Sequence, residues 1–140
     1  MSSEIKPLET LVETALYGDD LPALETFYTQ VLGLTVWSKD PARHVFFQVG
    51  PAHMLLLFKP AATLQAGLLP AHGAHGPGHA AFGISVDQLQ PWRERLAAHG
   101  VPIELEYQWP RGGCSLYFRD PAGNSVELIT PRVWGLPAGW

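Results

Sequence analysis

Three residues offer chemistry. Glu13 opens the short apolar run ETALYG, His79 opens HAAFGIS 66 residues later, and Glu127 interrupts the apolar run NSVELIT. Each run reads as a β-strand, and a strand sends alternate side chains to opposite faces. Glu13 then shares a face with Ala15 and Tyr17, His79 with Ala81, Gly83 and Ser85, and Glu127 with Ser125 and Ile129. The opposite faces are the more apolar ones and suit a cover of helices, which leaves the faces with the two acids and the imidazole to line a cavity. Two carboxylates and an imidazole converging there would be costly to desolvate and would repel one another. A bound divalent cation resolves both problems, and three protein ligands leave positions open for water or substrate. Glu13, His79 and Glu127 are therefore the predicted metal ligands, with Glu13 and Glu127 as the predicted catalytic carboxylates. An oxygen-rich set suits Mn, Fe, Co, Ni or Zn better than a thiolate-loving metal.

Taken singly, each residue has a plainer reading: Glu13 as a solvated strand end, His79 as a structural histidine after Gly-Pro-Gly. The elements around them argue otherwise. Residues 12–18 alternate as a strand, Asp19-Asp20 offers a helix N-cap, and Leu21, Leu24, Phe27, Tyr28, Val31 and Leu32 form one helical stripe closed by Gly33. Strand-like runs follow at Leu34–Ser38, Arg43–Val49 and His53–Phe58. After the loop 59–78 the pattern restarts: a strand at His79–Val86, Asp87 as a cap, a helix with Leu89, Trp92, Leu96 and Ala97, and Gly100 as its end. Runs at Ile103–Trp109, Ser115–Arg119 and Ser125–Thr130 complete it, with the turn DPAGN between the last two. The segments Asp20–Gly33 and Asp87–Gly100 are offset by 67 residues. The chain thus reads β-α-β-β-β twice, an α+β domain of two tandem modules whose curved sheets enclose a cavity. The boundaries are module one at about 11–58, a connector at 59–78, module two at about 79–131 and a tail at 132–140, all within a single domain.

Composition narrows the function. The chain has 140 residues, 46% of them hydrophobic and 16% charged, enough to bury a core. Its nine basic residues are scattered and the formal net charge is −4, which argues against nucleic acid or an anionic membrane surface as partner. No apolar run is long enough to cross a bilayer, and MSSEIKPLET lacks the apolar region of a signal peptide. One cysteine, Cys114, allows no internal disulfide, and a cytosolic location is predicted. There is no GxGxxG and no phosphate-cradling glycine loop.

Other residues are candidates of a second kind. Tyr107, Trp109 and Arg111 in EYQWPRGG suit the grip of an aromatic or anionic small-molecule substrate, or else form an ordinary aromatic hairpin. His72 and His75 lie in the connector, as acid/base groups at an entrance or as surface residues. Arg119 reads as a partner for Asp120 or another acid near the turn. Cys114 reads as inert, and Trp134 and Trp140 as packing residues.

The segments ETALYGDDLPALETFYTQVLGLTVW, GPGHAAFGIS and LYFRDPAGNSVELITP resemble the vicinal oxygen chelate superfamily of glyoxalases, bleomycin-resistance proteins and extradiol dioxygenases. The likeness runs from residue 11 to about 131. It implies metal ligands on the first and last strands of each module. His79 and Glu127 match the usual His and Glu, Glu13 stands where many members have His, and the fourth position falls near Leu57, which offers no ligand. The resemblance therefore implies a three-ligand metalloenzyme of lyase, isomerase or dioxygenase chemistry, commonly a homodimer whose sites combine modules of two chains. A non-catalytic, drug-sequestering binder of the bleomycin-resistance kind is the alternative it leaves.

Overall fold

The computed structural model describes residues 4–140. Asp20 opens the first helix by accepting a hydrogen bond from the Ala23 backbone at 3.1 Å, and Pro22 sits in the first turn, where its missing N–H costs nothing. The helix α1 (Leu21–Thr26) runs straight into a π-helical turn at Phe27–Val31. All six residues of the predicted stripe are buried, with Leu24 and Tyr28 fully enclosed. The chain then stops on Gly33, whose φ of 74° is the left-handed cap geometry that glycine adopts freely.

Among the described residues eight strands form two four-stranded sheets. The strands β1 (Glu13–Tyr17), β2 (Thr35–Asp40), β3 (His44–Val49) and β4 (His53–Phe58) make the first, in the order β1-β4-β3-β2. The strands β5 (His79–Gly83), β6 (Leu105–Gln108), β7 (Cys114–Arg119) and β8 (Ser125–Ile129) make the second, in the order β5-β8-β7-β6. In each sheet the first strand runs parallel to the last and the remaining pairs are antiparallel. Neither sheet closes into a barrel. The α+β reading and the tandem βαβββ order both hold.

Several details differ from the sequence reading. The connector carries a short helix, α2 (Pro60–Thr63), started by a proline in its first turn. The strand at His79 ends at Gly83, because Val86–Gln88 form a 3₁₀ turn leading into α3 (Leu89–Ala98). Asp87 lies inside that turn and its side chain caps nothing. The helix α3 buries only Leu96 fully, while Ala97 faces solvent. The two helices therefore differ in role: α1 sits at the centre of the core and α3 lies at its margin.

One core serves both modules. Leu16, Val45, Phe47, Leu55 and Leu57 of the first sheet and Leu116, Phe118, Val126 and Leu128 of the second join the α1 stripe in a single buried cluster. The DPAGN turn ties the halves together with polar groups. Asp120 accepts bonds from the backbone N–H of Ala122 and Asn124, and its other oxygen accepts from the Tyr28 hydroxyl of module one at 2.7 Å. Asn124 accepts from Gly78 N–H at 2.7 Å, and its amide donates to the Tyr17 carbonyl at 3.2 Å and to Asp120 at 2.9 Å. Arg119 beside this turn pairs with Glu104 at 3.1 Å rather than with Asp120.

Candidate functional site

The sheet register fixes which positions are equivalent. In module one Glu13 pairs with Met54 and Ala15 with Leu56; in module two His79 pairs with Ser125 and Ala81 with Glu127. Glu13 and His79 therefore occupy the same rung of their modules, as the repeat implied. The counterpart of Glu127 is Leu56. Leu57, the neighbour to which the resemblance pointed, is fully buried and faces the core. Neither leucine can ligate.

The helices cover the apolar faces. Leu16, Val126 and Leu128 point into the core, so strand alternation puts Glu13, His79 and Glu127 on the opposite faces. His79 and Glu127 meet there: Nε2 of the ring lies 3.1 Å from Oε1 of the carboxylate. The other ring nitrogen, Nδ1, lies 2.9 Å from the Ser125 carbonyl oxygen. A carbonyl oxygen can only accept, so Nδ1 carries the proton and Nε2 is directed at the acid. Glu127 is almost fully buried, and its second oxygen accepts a bond of 2.5 Å from the Ser115 hydroxyl. Ser115 in turn accepts 2.8 Å from the Trp109 indole N–H. The arrangement is a chain of donors, Trp109 to Ser115 to Glu127, that fixes the carboxylate in front of the imidazole.

Tyr117 forms the wall beside this pair. Its ring stacks on His79 with centroids 6.3 Å apart, and burial, then the charge of Glu127, pushes its hydroxyl above the usual phenol range. Ser115 and Tyr117 are members of the site that the sequence reading missed. The available signal was alternation: in Ser115–Arg119 both residues fall on the face that Glu127 shares across the ladder.

The other predicted residues are placed as follows. Trp109 spends its N–H on Ser115, and its ring meets Tyr107 edge-on at 4.7 Å. Tyr107 is exposed on the site face of β6. Arg111 donates to the Trp134 carbonyl at 2.9 Å and so braces the tail. His72 shares a 2.7 Å hydrogen bond with the Tyr17 hydroxyl and packs on Phe58. His75 lines a separate depression of about 300 Å³ beside Asp19 and Asp20. Cys114 is buried and its thiol is pushed up by that burial, which keeps it in the unreactive form.

Glu13 is exposed on β1 and does not join His79 and Glu127 within the chain. Among the described residues no three His, Cys, Asp or Glu side chains converge on a common point. Glu13 and His79 do border one cleft of about 760 Å³ between β1 and β5, walled mostly by apolar residues that include Leu34, Phe82, Trp92 and Trp140, but Glu127 does not line it. Ahead of β1 the segment from Ile5 to Val12 has no regular secondary structure and carries Ile5, Leu8 and Leu11 at 87% exposure or more.

Residues 10–128 match the model of the Glyoxalase/Bleomycin resistance protein/Dioxygenase superfamily, and the chain belongs to that superfamily. A solved structure of lactoylglutathione lyase from Agrobacterium tumefaciens superposes with a TM-score of 0.89 at 44% identity, over 94% of this chain and 100% of that one. A glyoxalase/bleomycin resistance protein/dioxygenase from Nocardioides superposes with a TM-score of 0.73 at 26% identity, over 97% and 91% of the two chains. Among curated proteins, biphenyl-2,3-diol 1,2-dioxygenase 3 of Rhodococcus globerulus is 31% identical over 123 residues, which is 84% of this chain. This chain covers 61% of that relative's length. No helix among the described residues is long and apolar enough to cross a membrane.

Proposed function

We propose that this protein is a cytosolic, metal-dependent enzyme acting on a small molecule, with His79 and Glu127 holding a divalent ion and Glu13 completing the set from a second chain. One observation carries the reading. With Nδ1 donating to the Ser125 carbonyl, His79 turns Nε2 toward a buried carboxylate oxygen 3.1 Å away. Two lone pairs in that position repel unless a second ring proton or a cation lies between them. A divalent ion suits the pair, because one imidazole and two carboxylates are ordinary donors for Mn, Fe, Co, Ni or Zn. When bound, such an ion would hold substrate oxygens and stabilise negative charge that develops on them.

The chain's own residues do the rest. Ser115 and Trp109 orient Glu127, Ser125 orients His79, and Tyr117 shields the pair from water on one side. The need for a second chain is read from Glu13, which shares His79's rung yet stands apart from it within one chain. The exposed apolar segment Ile5–Val12 supports a homodimer, since burying its side chains against a partner is favourable. Leu56 at the fourth rung supports three protein ligands over four, with positions left open for substrate. Similarity to a lactoylglutathione lyase and to a biphenyl-diol dioxygenase supports lyase or ring-cleaving chemistry.

A metal-free small-molecule binder is the second reading, favoured by the separation of Glu13 and by the apolar walls of the cleft. Protein loaded in turn with Mn, Fe, Co, Ni and Zn separates the two. The enzyme reading expects turnover with one of them: oxygen uptake with a catechol on the iron protein, or lyase activity toward a glutathione thiohemiacetal on another. Ligand binding unaffected by chelators, with no turnover under any metal, would establish the binder instead.

A further inference from the structure

We infer that Trp140 is a specificity-determining residue, and that the substrate carries an aryl or similarly flat apolar group beside its oxygen-bearing head. The inference rests on the metal reading above and extends it to the part of the substrate that the metal does not touch. The C-terminal segment is folded back onto the second sheet. Its backbone closes on itself through Arg132 N–H to Gly139 O at 2.7 Å, Trp134 N–H to Trp140 O at 3.1 Å and Leu136 N–H to Trp140 O at 3.0 Å. Arg111 adds a bond from the hairpin between β6 and β7. Arg132 adopts a φ of 81°, the sole left-handed non-glycine among the described residues. That conformation is strained for a side chain and persists where the surroundings enforce it.

This fold delivers the indole ring to one place. A Cβ on Gly83 would stand 2.1 Å from the ring, well inside contact distance, so the ring occupies the space that any other residue would fill. The direction matters: Gly83, Ala81 and His79 share a face of β5, and Ile129 and Glu127 share that face across the ladder. The ring therefore stands on the same side of the sheet as the candidate ligands. Glu127 lies beside Ala81, two residues before the Gly83–Ile129 rung, which is roughly 7 Å of strand. Between them the floor is Ala81, a single methyl group. The result is a short groove with a charged end at His79 and Glu127, a low apolar floor, and an aromatic wall. Trp140 keeps 40% of its surface exposed, and with His79, Ala81 and Gly83 it borders a cleft of about 760 Å³ whose walls do not include Glu127. A flat apolar group about one ring long, attached to a chelating head, fills that groove and gains an aromatic contact.

The test uses two chelators with the same head, acetohydroxamate and benzohydroxamate, titrated calorimetrically into the metal-loaded full chain. Wild type should bind benzohydroxamate more tightly, by roughly fivefold or more for a ring against an indole. Trp140→Ala should remove that preference and leave acetohydroxamate affinity unchanged, while Trp140→Phe should retain most of it. Gly83→Ala, which evicts the ring without altering Trp140 itself, should match Trp140→Ala. A preference that survives in both Trp140→Ala and Gly83→Ala would overturn the role of Trp140 while leaving the metal site standing. Failure of both hydroxamates to bind wild type would overturn the metal reading, and this inference with it.

Discussion

Replacing Asn124 by alanine tests how the two modules are joined. Asn124 is 1% exposed, and its side chain makes three hydrogen bonds: from Gly78 N–H, to the Tyr17 carbonyl, and to the Asp120 carboxylate. Its φ is negative, so alanine fits the backbone and the effect isolates the side chain. The bond to the carboxylate is worth roughly 1.5–3 kcal/mol and each neutral bond roughly 1 kcal/mol. Partners left buried without a replacement add to the loss. Asn124→Ala should therefore destabilise by about 4 kcal/mol, which lowers the melting temperature by roughly 10–15 °C for a domain of this size. Tyr28→Phe removes only the hydroxyl bond to Asp120 and should cost about half as much. Guanidinium unfolding followed by far-ultraviolet circular dichroism and by tryptophan fluorescence measures both. A loss below about 1.5 kcal/mol for Asn124→Ala would refute the view that this turn clamps the modules.

Three further outcomes follow from particular side chains. Ser115→Ala removes the hydroxyl that holds Glu127 in place, and metal affinity measured by competition with a chromophoric chelator should fall roughly 10- to 100-fold; unchanged affinity would mean that Glu127 needs no orientation. Burial, with Asp120 beside it, holds the Tyr28 hydroxyl far above the usual phenol range. The unfolded phenol ionises near pH 10, so this stabilisation is complete below that value and is lost as pH rises beyond it. Absorbance at 295 nm should show Tyr28 ionising only with unfolding, as the difference between wild type and Tyr28→Phe; a reversible step from Tyr28 in the folded protein near pH 10 would contradict this. His44 is held below the ordinary histidine range by burial first and then by the Arg43 guanidinium, which donates to its Nδ1 at 2.9 Å. The unfolded ring takes up a proton near pH 6.5, so the contribution is complete above that pH and is lost as pH falls through it. His44→Gln should flatten the decline of the melting temperature between about pH 7 and pH 5, and an unaltered decline would assign it to other groups.

Much of the fold was legible because its signals are local. The stripe from Leu21 to Leu32 has a helical period and is buried residue for residue, and Gly33 ends the helix as the left-handed cap that it was expected to be. The repeat made Glu13 and His79 equivalent, and the register confirms that they share a rung. What escaped is what depends on context. Alternation alone could not separate Leu56 from Leu57 in a run of apolar residues, since both faces of HMLLLF read as core. Asp87 has the chemistry of a cap but lies within a 3₁₀ turn, where its side chain faces no free N–H. Asn124 and Asp120 looked like turn formers, and their bonds to Tyr17, Gly78 and Tyr28 span up to 107 residues of sequence, beyond any local pattern. The same holds for Trp140, whose place over Gly83 depends on the path of the whole tail.

The central claim is that His79 and Glu127 bind a divalent ion and that Glu13 of a second chain joins them. Metal content per chain, measured by mass spectrometry on protein purified without chelator and then offered each candidate metal, tests it most directly. The account predicts about one tightly held ion per chain in a wild-type dimer, and its loss in Glu127→Ala and in Glu13→Ala. Wild-type protein that takes up no metal above background, or a Glu13→Ala protein that retains a full equivalent, would contradict it.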